Sequence, residues 1–225
     1  MAKIISKIIN DPVVGDVTLK KSVSSRRITI RVHPRKGVSV TVPYIMPYAA
    51  AQAFFLARRG WIIETMKRQE EKSRNVPQPS SSEIESLRRQ ARAELPGRLA
   101  ELASRYGFSY NRVTVKHNVS NWGSCSSKGN INLNLNIVRL PRVFQDYVLL
   151  HELCHLRHQD HGQGFHLLLE HVLTDHLLKL MSGDIPVSEG DRALAVEIAR
   201  KGASSKARYP LDYTITRAIR QFPLV

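Results

Sequence analysis

The chain has 225 residues, of which 42% are hydrophobic, and its 34 Lys and Arg against 19 Asp and Glu give a formal charge of +15. This composition supports a sizeable core, and the positive charge favours nucleic acids, nucleotides or acidic lipids as partners. The absence of a long apolar run or signal-peptide pattern predicts a cytoplasmic protein that does not enter a membrane. The only two cysteines, Cys125 and Cys154, argue against a disulfide framework.

Residues 1–75 are predicted to form a small basic subdomain of β-strands followed by a helix. The alternation of apolar and polar side chains between residues 28 and 42 is typical of half-buried strands, with a hairpin turn at Pro34 to Gly37. A helix is predicted from Pro47 to about Glu71. The segment contains 15 Lys and Arg against 5 Asp and Glu, so it carries +10 of the net charge.

The rest of the chain is predicted to begin with a linker, residues 76–82, that is rich in Pro and Ser. Ser82 and Glu85 have the spacing of a capping box, which predicts a helix from there to about Tyr106. Residues 130–138 alternate Ile or Leu with Asn and give the clearest strand pattern in the sequence. Residues 181–225 are interpreted as a C-terminal tail of unknown role.

The sequence His151-Glu152-Leu153-Cys154-His155 dominates the functional interpretation. Two histidines four residues apart lie on the same face of a helix and can bind one Zn²⁺ ion together. A catalytic zinc needs three protein ligands and an open position for water. His161, which follows a polar turn, is the predicted third ligand, and Glu152 is the predicted general base.

Other residues near this motif leave alternatives for the metal site. Glu170 on the following helix is the second candidate for the third ligand, and His158 is a weaker one. Cys125 could reach the metal as an inhibitory thiolate or act as a redox-sensitive thiol, although loop packing also explains it. Cys154 is interpreted as a small core residue.

The stretches Trp122-Gly123-Ser124-Cys125 to Asn134, His151 to Leu156 and Asp160-His161 resemble the YgjP-like metal-dependent hydrolases, relatives of the SprT-like and WLM zinc peptidases. The resemblance implies an α+β fold with a zincin-like metallopeptidase domain, placed at residues 83–180, that carries the HExxH helix and a small β-sheet. The N-terminal strand and helix subdomain precedes it. The resemblance also implies one zinc ion on the positions of His151, His155 and His161, with Glu152 as general base.

We predict from these observations a metallopeptidase that cleaves peptides or proteins. Trp122, Asn130 and Asn132 are candidate substrate-binding residues, because residues 130–138 could be an edge strand that pairs with an extended peptide. One alternative is a nucleotide pyrophosphatase that uses the same metal, an activity associated with the YgjP-like group. Others are a DNA-associated protein with a SprT-like protease role and a basic nucleic-acid-binding module with structural zinc, which would need a fourth ligand.

Overall fold

A computed structural model describes residues 5–33, 37–74 and 79–224 of the chain. The chain divides into two compact units, Met1–Pro77 and Gln78–Val225. Small sheets and helices occur in both, which confirms the predicted α+β class. None of the helices within the described ranges has the length and hydropathy needed to cross a membrane.

In the described residues of the first unit, a four-stranded sheet is joined by two helices. Its strands occur in the order β1-β2-β4-β3, where β1 is Ile5–Asp11, β2 is Gly15–Ser22, β3 is Thr29–His33 and β4 is Gly37–Pro43. Strands β3 and β4 pair antiparallel, as the alternation predicts, while residues 34–36 of the predicted turn lie outside the described residues. The inward valines of β2 and β4 are fully buried and form the centre of this unit's core.

The single helix predicted from Pro47 to Glu71 is wrong, because two helices, α1 (Tyr48–Ala57) and α2 (Arg59–Arg74), replace it. At the start of α2, the Arg59 guanidinium binds the Asp11 carboxylate at the end of β1 with a distance of 2.7 Å. This ion pair joins residues 48 positions apart and fixes the start of α2 on the sheet. A helical pattern in the local sequence does not contain this information.

The second unit contains a three-stranded sheet among five helices of its described part. Strands β5 (Arg112–Lys116), β6 (Gly123–Cys125) and β7 (Asn130–Asn134) lie in the order β5-β7-β6, with β7 parallel to β5 and antiparallel to β6. The helices are α3 (Ser81–Tyr106), α4 (Arg142–Cys154), α5 (Gln163–Ser182), α6 (Glu189–Ala203) and α7 (Pro210–Ile219).

The capping box of α3 lies two residues before the predicted one. Ser80 accepts a hydrogen bond from the Glu83 backbone, and the Glu83 side chain accepts one from the Ser80 backbone. Both Ser80 and Ser82 offer a hydroxyl with a glutamate three residues later, so the spacing alone does not choose between them. The last residues of the predicted linker therefore belong to the helix, and residues 75–78 lie outside the described residues.

The strand predicted over residues 130–138 ends at Asn134, and a 3₁₀ helix occupies Leu135–Arg139. β7 is also the central strand, so the edge-strand prediction is wrong. Asn134 is fully buried, and its Nδ2 donates hydrogen bonds to the carbonyls of Asn118 and Asn121. The asparagine pattern here reflects the satisfaction of buried backbone groups rather than exposure to solvent.

Residues 181–225 are not an isolated tail, because α6 and α7 pack on α4 and α5. Ala195, Ile198, Ile215 and Ile219 are buried in the same core as the central helices. This arrangement places α7 beside the two histidines of α4.

Candidate metal centre

The structure brings His151, His155 and His161 into one group. Helix α4 ends at Cys154, and the chain turns over residues 155–160, where Asp160 Oδ1 accepts a hydrogen bond from the Gly162 backbone. The ligating atoms of the three histidines all lie within 4.8 Å of one another, and the Nε2 atoms of His151 and His161 are 3.1 Å apart. Three imidazoles that converge in this way can hold a divalent metal ion.

Two neighbouring contacts orient these imidazoles. The Nδ1–H of His155 donates to the His158 carbonyl at 3.0 Å, which leaves Nε2 of His155 for the centre. Phe165, at the start of α5, is fully buried and packs against all three imidazoles. The centroid of its ring lies 4.5 to 4.8 Å from the centroids of the three histidine rings. Burial, together with the other histidines, lowers the pKa of His151 to about 4, so its imidazole is neutral and available as a ligand.

Glu152 is buried beside the three histidines, with 5% of its surface exposed. Burial raises the pKa of this carboxyl to about 8, and its Oε2 has no hydrogen-bond partner among the described residues. A buried carboxylate without a partner is costly. The histidine donor set and the open carboxylate oxygen together fit a metal with a water molecule next to it.

Gly123 on β6 makes room for this carboxylate. A Cβ atom at position 123 would lie 2.5 Å from Glu152 Oε1 and 2.7 Å from its carboxyl carbon. Any larger residue would have to displace Glu152 or the strand. The sequence contains Gly123 next to Trp122, but this close approach between β6 and α4 is visible only in three dimensions.

The two other candidates for the third ligand, Glu170 and His158, do not join the three histidines. The Glu170 carboxylate accepts hydrogen bonds from the backbone of Leu211 and Asp212, at 2.8 and 3.1 Å, and so caps the first turn of α7. His158 contributes its backbone carbonyl, which accepts the bond from His155. Within the described residues, neither side chain belongs to the metal-ligating group.

A cavity of about 750 Å³ opens onto Glu152 and the three histidines. Its walls come from the residues around β6, from α4 and from the C-terminal residues 216–224. Trp122 lines this cavity, whereas Asn132 donates to Ser124 Oγ and Asn130 accepts from Asn111 within the sheet. A role of these three residues in substrate binding remains a prediction.

The two cysteines differ in position. Cys125 lines the cavity, and burial together with the nearby Glu152 raises its pKa, which favours the thiol over the thiolate. It is not a member of the ligating group found among the described residues. Cys154 is fully buried in the core, as predicted, and burial raises its pKa to about 12.

A second cavity, of about 550 Å³, lies on the α7 side of His151 and His161. Asp212 is its central carboxylate, which accepts a hydrogen bond from Tyr147 Oη at 2.6 Å and binds His166 Nδ1 at 2.9 Å. Arg208, Arg217 and Arg220 also line this cavity. Asp212 and the three arginines belong to residues 181–225, in which the sequence predicts no functional group.

Three converging histidines and a buried glutamate on an α+β framework are the arrangement of a metallopeptidase centre. Residues 81–178 match the profile of the family described as YgjP-like, metallopeptidase domain. Among solved structures, the crystal structure of the metallopeptidase zymogen of Pyrococcus abyssi abylysin is similar, with 22% identity, a TM-score of 0.30 and coverage of 37% of this chain and 89% of that one. No curated protein matches the chain.

Proposed function

We propose that the protein is a zinc-dependent metallopeptidase that cleaves extended polypeptides. The observation that carries the proposal is the Glu152 carboxylate, which is buried without a partner beside three converging histidines. Nothing in the packing of the described residues compensates for the burial of this group. A role in proton transfer during catalysis would explain why this carboxyl is buried without a partner.

His151, His155 and His161 would hold one zinc ion. A bound zinc ion lowers the pKa of water and polarises a carbonyl group. Glu152 then accepts the proton from the attacking water and passes it to the leaving amine. Since no fourth ligating side chain joins the three histidines in the described part of the chain, the arrangement favours catalytic over structural zinc.

The edge strand β6 supports a peptide as the substrate. Trp122 and Asn134, and likewise Ser126 and Asn130, form backbone hydrogen bonds between β6 and β7. Because such pairs alternate in an antiparallel ladder, the backbone groups of Gly123 and Cys125 face away from β7. An extended peptide added at this edge would run beside Glu152, which we propose in place of the earlier pairing with residues 130–138.

The proposal is tested by incubation of the zinc-loaded protein with unfolded casein. We expect fragments from the wild type and about 10²- to 10⁴-fold less from Glu152→Gln, the range of a general base. Glu94→Gln is the matched control, because Glu94 is an exposed residue of α3. Equal cleavage by Glu152→Gln and the wild type would refute this role of Glu152.

Nucleotide pyrophosphatase activity is a second candidate, favoured by Arg208, Arg217 and Arg220 around the second cavity. Guanidinium groups bind phosphates with two parallel hydrogen bonds, and these three line the same cavity as His151 and His161. Incubation with ATP decides between the two. Release of pyrophosphate that is lost in Glu152→Gln and in Arg217→Ala, without cleavage of casein, would replace the peptidase proposal.

A further inference from the structure

The larger cavity beside Glu152 has two apolar walls. Val119, Trp122 and Val148 lie on the side of β6 and α4, and Ile219, Phe222 and Leu224 lie on the C-terminal side. Its volume of about 750 Å³ is in the range of ligand-binding sites. An apolar lining of this kind next to a reactive carboxylate indicates a place for an apolar part of the substrate.

The C-terminal wall is held by contacts with α4 and with the 3₁₀ helix. Ile219 is buried, the ring of Phe222 packs edge-on against Phe144 at 5.8 Å, and Arg139 Nη1 donates to the Pro223 carbonyl at 3.4 Å. These contacts hold residues 219–224 in place beside the site. The wall lies outside residues 81–178, so the family match does not account for it.

The cavity is continuous with the edge of β6 and with Glu152, which all line one space. A peptide paired with β6 would therefore present a side chain to the apolar walls close to the bond that is cut. Among the described residues that line the cavity, Arg220 is the one Lys or Arg, and its side chain is exposed. Its charge disfavours a Lys or Arg side chain in the same position.

From these contacts we infer that residues 219–224 make the enzyme select substrates with a large apolar side chain next to the scissile bond. The inference rests on the proposed peptidase function and names its substrate class. Ile219, Phe222 and Leu224 supply apolar contact, and Arg220 excludes basic side chains. Peptides that offer Leu, Ile, Phe or Met at this position are the preferred substrates.

The test is the digestion of unfolded casein by the zinc-loaded full chain, with the cleavage sites read by mass spectrometry. We expect Leu, Ile, Phe and Met to be enriched beside the cleaved bonds and Lys and Arg to be depleted. Phe222→Ala should lower cleavage at apolar sites by about tenfold or more, since lost methylene groups in an apolar pocket cost 10- to 200-fold. Leu224→Ser, at the end of the segment, should act in the same direction without disturbing the core.

Arg220→Glu tests the excluding charge. It should raise the share of cleavage beside Lys and Arg, whereas Arg200→Glu, the same change on an exposed part of α6, should leave the pattern unchanged. Cleavage that depends on Glu152 but shows no apolar preference, or a preference that survives in Phe222→Ala and Leu224→Ser, would overturn the inference and leave the peptidase function intact. Absence of any cleavage that depends on Glu152 would overturn the proposed function and the inference together.

Discussion

Helix α4 carries two buried carboxylates, Asp146 and Glu152, in opposite surroundings. Asp146 is fully buried, accepts two hydrogen bonds from Arg98 at 2.6 and 2.8 Å and binds His176 Nε2 at 3.0 Å. Burial disfavours its charge, but Arg98 and His176 outweigh this effect and lower its pKa. Glu152 is buried to a similar degree without such partners, and burial raises its pKa to about 8.

The difference separates a structural carboxylate from a functional one. Arg98 comes from α3 and His176 from α5, so the satisfied charge of Asp146 joins three helices. The carboxyl of Glu152, which has no such partner, instead faces a cavity and the three histidines. A buried polar group that the fold leaves without a partner is the more informative guide to a site.

The largest predicted effect concerns Glu152. Replacement by Gln should reduce peptide hydrolysis by about 10²- to 10⁴-fold. The free energy of unfolding of the metal-free protein should nevertheless stay equal or increase, because the cost of burying an ionisable carboxyl without a partner is removed. Activity assays and urea unfolding measure the two quantities. A strong loss of stability in Glu152→Gln would show that this carboxyl stabilises the fold, as Asp146 does, and would contradict the distinction between the two residues.

The next effect concerns Arg98. Arg98→Met leaves the Asp146 charge buried without its main partner, and we expect a loss of about 3–5 kcal/mol in the free energy of unfolding. The matched control is Arg105→Met, because Arg105 forms a more exposed ion pair with Glu101 at 3.2 Å, for which less than about 1 kcal/mol is expected. Equal losses in the free energy of unfolding of the two variants would show that burial does not determine how much an ion pair contributes to stability.

The same cluster predicts a dependence on acid. Because the pKa of Asp146 is lower in the folded protein than its ordinary value of 3.8, its stabilising contribution is complete above that value and is lost as the pH falls through the folded pKa. Wild-type stability should therefore fall below about pH 3.8 more steeply than that of Asp146→Asn, as measured by urea unfolding at several pH values. Parallel curves for the two proteins would contradict this assignment.

A smaller effect is expected from Gly123→Ala. Its Cβ would lie 2.5 Å from Glu152 Oε1, so the carboxylate must shift, and a displacement on the ångström scale costs about 10²-fold in activity. Gly97→Ala, at a helical glycine with no neighbouring atom within 4 Å of the new Cβ, should leave activity unchanged and stabilise α3 by about 0.5–1 kcal/mol. Full activity of Gly123→Ala would show that the position of Glu152 is not critical.

The smallest predicted effect concerns the exposed basic residues of the first unit. The first 75 residues carry a net charge of +10, which suggests that the protein associates with DNA through phosphate contacts. Retention on a DNA column should then fall steeply with salt, and Arg31→Ala, at an exposed position of β3, should reduce the slope of log affinity against log salt by about one. Retention independent of salt would contradict such contacts.

The sequence predicted the part of the site that depends on local geometry. His151, Glu152 and His155 follow from the periodicity of one helix, and His161 follows from the turn after it. The role of Gly123, the hydrogen bonds of Asn134 and the walls formed by residues 216–224 depend on contacts between distant elements. Such contacts leave no periodic pattern, which is why the asparagine alternation by itself predicts an exposed edge strand and the residues of α7 by themselves predict a tail.

The most direct test of the proposed centre is the zinc content of the purified chain after chelation, reloading and removal of free metal. We predict one zinc ion per chain in the wild type and in Glu170→Gln, and loss of bound zinc in His161→Ala. Retention of zinc by His161→Ala together with its loss from Glu170→Gln would contradict the assignment of His151, His155 and His161 as the ligands.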